Sequence, residues 1–333
     1  MTDQSGPFSP GTDGGAELVT LCQLIESSYG ISIIDVRSLG GELDTNVWIR
    51  DSLDREYTIK TSRCSDPAEI RWQYPVLEHL RQRLDGIGVP TLIPTMDGDW
   101  DIVAQPGPSL EVIRLANWVP GQVIGSHPMP PERLLKDWGL LAANTVLALS
   151  DFESTEAPST HYWDVRESLN AIESCLGFVE DQPNLRAVER LVGRAAEAVH
   201  TFALLPQQIV HQDLNDFNVI IDGESPNARI TGLLDVGDTL MAPRLSELVV
   251  ASAYSMLRQP EPLLALEFVV EGYSNVLPVP DDERALVRLL APLRLCVNAV
   301  TWTKRAAIDG TEYGQRRMAA TWPTIHTLAE SMR

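Results

Sequence analysis

Polar residues of three types stand at fixed spacing just before an apolar strand. His211, Asp213 and Asn218 form the pattern H-x-D-x4-N, and the β-branched run VIID at 219–222 follows at once. A protein core could not bury so many polar groups unpaired. A carboxylate can take a proton from a hydroxyl, and an amide oxygen can bind a hard cation such as Mg²⁺. The pattern therefore predicts a catalytic loop that leads into a β-hairpin.

A second acidic residue stands at the end of the next predicted strand. Asp235 lies in LLDVGD, with Gly237 two residues on. In protein kinases the Asp of the H-x-D-x4-N pattern accepts the substrate's hydroxyl proton. The Asn of that pattern and a second Asp, which follows the next strand, hold Mg²⁺. A polar turn that caps a helix would explain the first pattern alone, but not the aspartate that ends the paired strand. The residues therefore indicate phosphoryl transfer, with Asp213 as base and Asn218 and Asp235 as metal ligands.

Weaker signals for phosphate binding lie near the N-terminus. Lys60 is in an alternating strand, EYTIKTS, just before a helix, which is where kinases hold the α- and β-phosphates. An exposed strand lysine is also common, and Glu69 and Glu78 are both candidates for its ion-pair partner. Gly40 and Gly41, in LGGELDTN, would let the backbone approach phosphate, although an ordinary hairpin turn explains them nearly as well.

Composition narrows the class of partner. The chain has 333 residues and a formal net charge of −20, from 26 Lys and Arg against 46 Asp and Glu. Nucleic-acid binders normally show a basic face, and an anionic membrane surface would repel this chain. We therefore expect no nucleic-acid partner and no membrane partner. A cationic small substrate is compatible with the charge, as is general solubility.

The cysteines and the N-terminus bear on the compartment. Four scattered cysteines without a CxxC motif favour neither a disulfide framework nor a zinc site. The polar, acidic start is unlike a signal peptide, and no run reaches the roughly 18 apolar residues of a membrane span. We expect a cytoplasmic protein with a disordered tail at residues 1–15.

The order of elements predicts the fold class. A helix, three antiparallel strands, a helix that Pro75 should kink or split, and further strands fill the chain to about residue 118. Long helical patterns follow and are interrupted by the hairpin after Asn218. This predicts an α+β, bilobal fold with an antiparallel-sheet N-lobe at 16–118, a mainly helical C-lobe at 119–333, and a boundary between the lobes near Trp118–Gly121.

Two stretches around these polar residues resemble a known superfamily. VHQDLNDFNVII, followed by GLLDVGDTLMAPRLSELVVASAY, is similar to the aminoglycoside phosphotransferase and choline kinase superfamily, which has a protein kinase-like fold. The NDFN ending, the PRLSEL block and HYWDV at 161–165 resemble its hydroxylysine kinase-like branch. The similarity runs in register from about Ile31 to Leu328, nearly the whole chain.

The resemblance implies a role for each matching residue. Asp213 would be the catalytic base, His211 would brace the loop, and the two predicted metal ligands would hold Mg²⁺. The nucleotide, ATP or GTP, would contact Lys60, Gly40, Gly41 and the hinge residues Leu115, Ala116, Asn117 and Trp118. The acceptor pocket would include Asp216, Trp163 and Asp164, although a Trp-Asp pair at a helix start is as often a packed aromatic and an N-cap.

One position departs from the superfamily pattern. The helix residue that pairs with the strand lysine is Glu in antibiotic kinases, but the matching residue is Gln73. A hydrogen bond could then replace the ion pair, and the choice between ATP and GTP stays open.

The expected activity is a Mg²⁺-dependent kinase that phosphorylates a hydroxyl on an amino-bearing, cationic metabolite, with 5-hydroxylysine as the leading candidate. An aminoglycoside-type antibiotic kinase is one alternative. A non-catalytic binding protein with a kinase fold is another, and the presence of Lys60, Asp213, Asn218 and Asp235 argues against it. A protein kinase is a third, disfavoured because the segment after Asp235 is short and lacks A-P-E.

Overall fold

The computed structural model describes residues 12–41, 44–223, 227–309 and 318–332. Packing divides the chain into two compact units. The first contains the residues up to Ile70 and Thr91–Trp118, and the second contains Arg71–Pro90 and Val119–Arg333. The predicted antiparallel-sheet and helical parts are confirmed as the fold class.

The first unit is a six-stranded antiparallel sheet with one long helix. The elements are α1 (Thr12–Tyr29), β1 (Ile33–Ser38), β2 (Thr45–Asp51), β3 (Glu56–Cys64), β4 (Leu92–Ile93), β5 (Ile102–Ala104) and β6 (Leu110–Asn117). The sheet order is β1-β2-β3-β6-β4, and β5 also pairs with β6.

Apolar residues at alternate positions of the central strands form the core of this unit. Val47 and Ile49 on β2 and Tyr57 and Ile59 on β3 are buried, together with Ile25 from α1. Because successive strand residues point to opposite faces, Lys60 must point away from this core. α1 starts at Thr12, within the stretch expected to be a disordered tail, and residues 1–11 lie outside the described part of the chain.

The helix after β3 is divided in two, as Pro75 predicted. α2 (Ala68–Arg71) ends before Trp72, and α3 (Gln73–Arg83) carries the proline in its first turn. The α2 start is a capping box, because Asp66 Oδ1 accepts from Ala68 N at 2.9 Å and Glu69 Oε1 accepts from Asp66 N at 3.2 Å.

The sequence prediction placed all of residues 16–118 in the N-lobe, but Arg71–Pro90 pack with the second unit. The reason is the apolar face of α3, whose Val76 and Leu80 are fully buried in the core of the helical unit.

The second unit is mainly helical around one large core. Its helices are α4 (Glu132–Ala148), α5 (Ser168–Leu176), α6 (Gln182–Ala203), α7 (Ser246–Ser255), α8 (Pro262–Ser274), α9 (Asp281–Asp309) and α10 (Thr321–Ser331), with short 3-10 helices at Ile124–Ser126 and Val165–Glu167. On length and composition α9 could cross a membrane, but 78% of that apolar window is buried within the protein, as in the core helix of a folded domain.

Two small sheets hold the predicted catalytic segment. β9 (Val219–Asp222) lies between β7 (Gln122–Val123) and β10 (Arg229–Leu233), and β8 (Gln207–Val210) pairs with β11 (Leu240–Pro243). The predicted hairpin is therefore two strands of a three-stranded sheet. The chain from His211 to Asn218 connects β8 to β9, so both ends of this loop are fixed by strands.

Candidate active site

His211 braces the loop from inside the fold. Its side chain is fully buried, and burial lowers its pKa to about 4, so the imidazole is neutral near pH 7. Its Nδ1 accepts from the Asp213 backbone N at 3.2 Å, which leaves Nε2 to donate to the Leu234 carbonyl at 3.1 Å. The ring thus joins the loop to the strand end that carries Asp235.

A buried carboxyl group supports the same turn. Glu247 Oε1 accepts from the backbone N–H groups of His211 and Gln212, the second at 3.3 Å. Burial outweighs these hydrogen bonds and raises the pKa of Glu247 to about 8. Gln212 has a φ of +69°, a left-handed conformation that is costly for a residue with a side chain. Backbone strain of this kind is common where a side chain must be presented at an active site.

Asp213 is held in one orientation by two amides. Its Oδ1 accepts from Asn215 Nδ2 at 2.7 Å, and its Oδ2 accepts from Asn218 Nδ2 at 2.6 Å. The side chain is still 17% exposed. A fixed carboxylate that remains accessible is what a base for a substrate hydroxyl requires.

Asn215 organises the middle of the loop and was not identified from the sequence. Its Oδ1 accepts from the backbone N–H groups of Phe217 and Asn218 at 2.7 and 3.1 Å, while its amide donates to Asp213. This is an Asx turn, which is a recognised use of asparagine in tight turns. An asparagine in a short, mostly polar stretch, NDFN, is the sequence signal for such a turn.

The residues predicted as metal ligands lie side by side. The backbone N of Leu234 donates to the Asn218 carbonyl at 2.8 Å, which places Asp235 next to Asn218. The Asn218 amide donates to both the carbonyl and the carboxylate of Asp213, so its Oδ1 is the remaining polar atom of that side chain. Asp235 has a φ of +58°, and its Oδ1 accepts from Gly237 N at 3.0 Å.

This donor set fits a magnesium ion. Carboxylate and amide oxygens are its preferred protein ligands, and Mg²⁺ commonly takes only one or two of them and completes its shell with phosphate oxygens and water. Among the described residues there is no cluster of three or more His, Cys, Asp or Glu suited to a metal, so an all-protein cage is not formed there.

Two of the three residues suggested for the acceptor pocket are carboxylates that pair with arginines. Asp164 caps a 3-10 helix by accepting from Arg166 N at 2.9 Å, and it also pairs with the Arg166 guanidinium. Asp216 is buried, with its Oδ2 3.0 Å from Arg258 Nη2.

Trp163 is also buried, and the Arg294 guanidinium lies over its ring at 4.4 Å. Arg294 is a second residue that sequence reasoning missed, although a single arginine in the apolar run LLAPLRLCVNAV was visible.

In the first unit, Lys60 forms an ion pair with a loop residue. Its Nζ lies 2.9 Å from Asp44 Oδ2. The suggested helix partners are engaged elsewhere, because Glu69 caps α2 and Glu78 pairs with Arg81. Gln73 is a buried residue of the second unit.

The glycine pair is required by the turn between β1 and β2. Gly40 has a φ of +77°, and its carbonyl accepts from Asn46 Nδ2 at 3.0 Å. A Cβ on Gly41 would lie 1.9 Å from the Asp44 carbonyl oxygen, which no side chain could tolerate. The intervening Glu42 and Leu43 lie outside the described residues.

The predicted hinge residues form the end of β6. Leu115 and Ala116 are buried, and the backbone N–H groups of Asn117 and Trp118 donate to the carbonyls of Thr91 and Glu56, each at 3.0 Å. These two donors are therefore already used within the first unit.

Comparison with known proteins identifies the family of the chain. The APH family model, a phosphotransferase enzyme family, matches residues 35–290. A hydroxylysine kinase of Danio rerio is 25% identical over 290 residues, covering 83% of this chain and 81% of the relative.

Solved structures share the fold at lower identity. A microcompartment-associated aminopropanol kinase superposes with a TM-score of 0.73 at 17% identity, covering 94% of this chain and 96% of the other. An amicoumacin kinase in complex with AMP-PNP, Ca²⁺ and Ami superposes with a TM-score of 0.68 at 12% identity, covering 95% and 96%.

The family model spans most of the chain and includes the loop, the hairpin and both aspartates described above. The protein is a phosphotransferase with a hydroxyl group as acceptor, and the chain belongs to the APH phosphotransferase enzyme family.

Proposed function

We propose that this small-molecule kinase transfers the γ-phosphoryl group of ATP or GTP, with Mg²⁺, to a hydroxyl of an amino-bearing metabolite such as 5-hydroxylysine. One observation carries the proposal most directly. The 2.6 Å hydrogen bond from Asn218 to Asp213 joins a residue suited to metal binding to a residue suited to proton acceptance. Phosphoryl transfer needs these two functions side by side.

Asp213 orients the acceptor and receives its proton. The hydroxyl oxygen bonds to the γ-phosphorus, the bond from that phosphorus to the β-bridging oxygen breaks, and the nucleoside diphosphate leaves. The hydroxyl proton passes to the Asp213 carboxylate. Because the transition state of phosphoryl transfer is loose, aiming the oxygen contributes more than early deprotonation.

Asn218 and Asp235 would hold the metal. When bound, Mg²⁺ would neutralise charge on the phosphate oxygens. The hydrogen bonds that fix Asn218 to Asp213, and Asp235 to Gly237, keep both ligand side chains in place before nucleotide arrives.

Lys60, Gly40 and Gly41 bind the nucleotide phosphates in this proposal, with Lys60 exchanging Asp44 for phosphate. The base would meet the backbone of Leu115–Trp118. The N–H groups of Asn117 and Trp118 are already bonded, and the Trp118 carbonyl accepts from Asn117 Nδ2 at 3.4 Å. These groups do not distinguish adenine from guanine, so both ATP and GTP are proposed as donors.

The choice of acceptor rests on the relatives and on charge. The curated relatives that match most of the chain are hydroxylysine kinases. A net charge of −20 favours the approach of a cationic acceptor, because a strong field of one sign raises the local concentration of the opposite charge.

A nucleotide-consumption screen tests the proposal. ATP and GTP are each offered with hydroxylated amino acids, amino alcohols and aminoglycosides, with and without Mg²⁺. We expect Mg²⁺-dependent consumption with 5-hydroxylysine that exceeds the rate without acceptor. Consumption only with aminoglycosides would replace the proposed acceptor, and no acceptor-dependent consumption by any member would contradict the kinase assignment.

A further inference from the structure

Arg294 is a fully buried cation beside the proposed base. It lies on α9 and is 1% exposed, among the largest side chains buried to this degree. Its Nη2 is 3.8 Å from Asp213 Oδ1. A buried guanidinium is costly unless its charge and its N–H groups are satisfied.

Within the described residues, Asp213 pairs with the charge of the guanidinium but does not fill its hydrogen-bonding capacity. Nε and Nη1 have no hydrogen-bond partner in the described part of the chain. The 3.8 Å approach of Nη2 to Asp213 is too long for a hydrogen bond. The Asp213 oxygens are instead bonded to Asn215 and Asn218 at 2.7 and 2.6 Å.

Aromatic rings hold the guanidinium in place without using its donors. Its carbon lies 4.4 Å from the centre of the Trp163 ring and 5.4 Å from that of Tyr254. Stacking of this kind uses the faces of the guanidinium plane, whereas its N–H bonds point outward along the edge. Stacking therefore orients the fork, and its buried N–H edge keeps donors that no described residue uses.

Positive groups lie close together at Trp163, although the whole chain is acidic. Arg305 also lies near the Trp163 ring, at 5.9 Å, so two guanidinium groups meet one indole. Both nearby carboxylates suggested for the acceptor pocket are engaged, Asp164 by Arg166 and Asp216 by Arg258. Two guanidinium groups beside Trp163 are therefore the cations that an anionic group near Asp213 could meet.

We infer that Arg294 binds a carboxylate of the acceptor, so that the enzyme selects hydroxylated amino acids over amino alcohols. A guanidinium fork matches a carboxylate with two parallel hydrogen bonds. The acceptor would then be held at two points, its carboxylate by Arg294 and its hydroxyl by Asp213. This inference rests on the proposed function, because it names the acceptor class for the same site.

The first test uses the unchanged protein and matched acceptors. The kcat/KM for 5-hydroxylysine is compared with that for its decarboxylated analogue, 1,5-diamino-2-pentanol, and for its carboxamide. A site built around a buried hydrogen-bonding group rejects analogues that lack the partner, by as much as about 10⁴–10⁵-fold. We expect kcat/KM for both analogues to be lower by about 10²-fold or more, because without a carboxylate the acceptor leaves the Arg294 fork unpaired.

Variants then connect that preference to Arg294. Arg294→Met keeps much of the volume, Arg294→Lys keeps the charge without the fork, and Arg288→Met changes an exposed arginine of the same helix that pairs with Glu267. We expect Arg294→Met to remove most of the preference for 5-hydroxylysine over its analogue, mainly through KM. Arg294→Lys should restore part of that preference, and Arg288→Met should leave it unchanged.

The outcomes separate the two claims. If amino alcohols are phosphorylated as well as amino acids by the unchanged protein, the inference fails while the kinase assignment stands. If Arg294→Met slows both acceptors equally, Arg294 only positions Asp213 and the inference is wrong. If no acceptor is phosphorylated, the proposed function fails and the inference with it. Thermal unfolding of each variant shows whether the fold is retained.

Discussion

At the scale of single residues, Asp213 carries the most demanding role. Both of its carboxylate oxygens accept a hydrogen bond from an asparagine amide. An asparagine at this position would keep the shape but bring its own amide N–H₂ against one of those donors. The substitution therefore removes the proton acceptor and also one hydrogen bond of the loop.

For Asp213→Asn we predict that kcat falls by about 10²–10⁴, the usual contribution of a general base. Nucleotide affinity should change only a few-fold, because Asn218 and Asp235 remain. Steady-state kinetics with separate nucleotide titration makes the measurement. Asp222→Asn, at the exposed end of β9, is the matched control. A kcat within a few-fold of the unchanged protein would place the base elsewhere, with Asp216 next to be tested.

Glu247 gives a prediction for the pH dependence of stability. Burial raises its pKa to about 8 in the folded protein, from an ordinary value of 4.5. The folded protein therefore keeps a proton that the unfolded chain releases above about pH 4.5. The stability from this group is fully present below that pH and is lost as pH rises through about 8.

Glu247→Gln keeps an oxygen for the His211 and Gln212 N–H groups and does not titrate. Between pH 5 and 8 the unfolding free energy of the unchanged protein should fall relative to that of this variant. Urea unfolding at several pH values measures both. Glu78→Gln is the control, because the pKa of exposed Glu78 is lowered to about 2 and its titration lies below this range. Parallel pH profiles for the unchanged and Glu247→Gln proteins would contradict the buried, protonated assignment.

At the scale of elements, β3 decides which way Lys60 points. Ile59 faces the core with α1, and Lys60, one residue on, faces the other side and pairs with Asp44. A shift of one residue in strand pairing would turn Ile59 away from the core and Lys60 toward it. The phosphate role thus depends on strand register as much as on the lysine itself.

We predict that Lys60→Met raises the nucleotide KM about 10- to 100-fold, which corresponds to losing a hydrogen bond to a charged group. The acceptor KM should change much less. Lys136→Met is the control, since Lys136 pairs with Glu132 and Glu271 on the surface of α4 and α8. Unchanged nucleotide kinetics would make Lys60 an ordinary strand residue.

Two helices of the second unit approach each other through glycines. A Cβ on Gly139 of α4 would lie 1.9 Å from the Val269 carbonyl oxygen, and one on Gly272 of α8 would lie 1.9 Å from that of Lys136. The contact is between backbones, so no side-chain movement can relieve it. α4 also carries Trp138, whose Nε1 donates to the Leu214 carbonyl in the catalytic loop at 3.2 Å.

Gly139→Ala should therefore separate α4 from α8 and destabilise the protein by about 1–3 kcal/mol or more, the usual cost of overpacking. Gly193→Ala on α6 is the control, because a Cβ there meets nothing within 4 Å. That change should stabilise by about 0.5–1 kcal/mol, since alanine is the better helix former. Chemical denaturation of both variants measures the difference, and equal effects of the same sign would contradict the close-contact explanation.

At the scale of the whole molecule, sequence patterns predicted the features that depend on residues close together in the chain. Alternation placed β2 and β3, the capping box at Asp66 placed α2, and Pro75 divided the following helix. The closeness of Asp213, Asn218 and Asp235 could also be predicted, because only a loop and a hairpin separate them along the chain. Each of these features depends on neighbours in sequence.

The features that sequence reasoning missed depend on distant partners. Arg294 reaches Asp213 from α9, and the short strands β8 and β11 exist because Val210 meets Leu240 across a separate segment. Arg71–Pro90 follow the first sheet in sequence, yet the apolar face of α3 is buried in the helical core. Such pairings are set by tertiary packing, and no local pattern specifies which distant residue will be met.

The central claim is that the whole protein moves a phosphoryl group from a nucleotide to the hydroxyl of a small amino-bearing acceptor. The most direct measurement follows the γ-phosphoryl group itself, using γ-labelled ATP, Mg²⁺ and 5-hydroxylysine, with mass spectrometry of the products. We predict labelled 5-phosphohydroxylysine in an amount equal to the ADP formed, and no product when Mg²⁺ is chelated. Label found only in inorganic phosphate, or transfer that continues without a divalent cation, would contradict it.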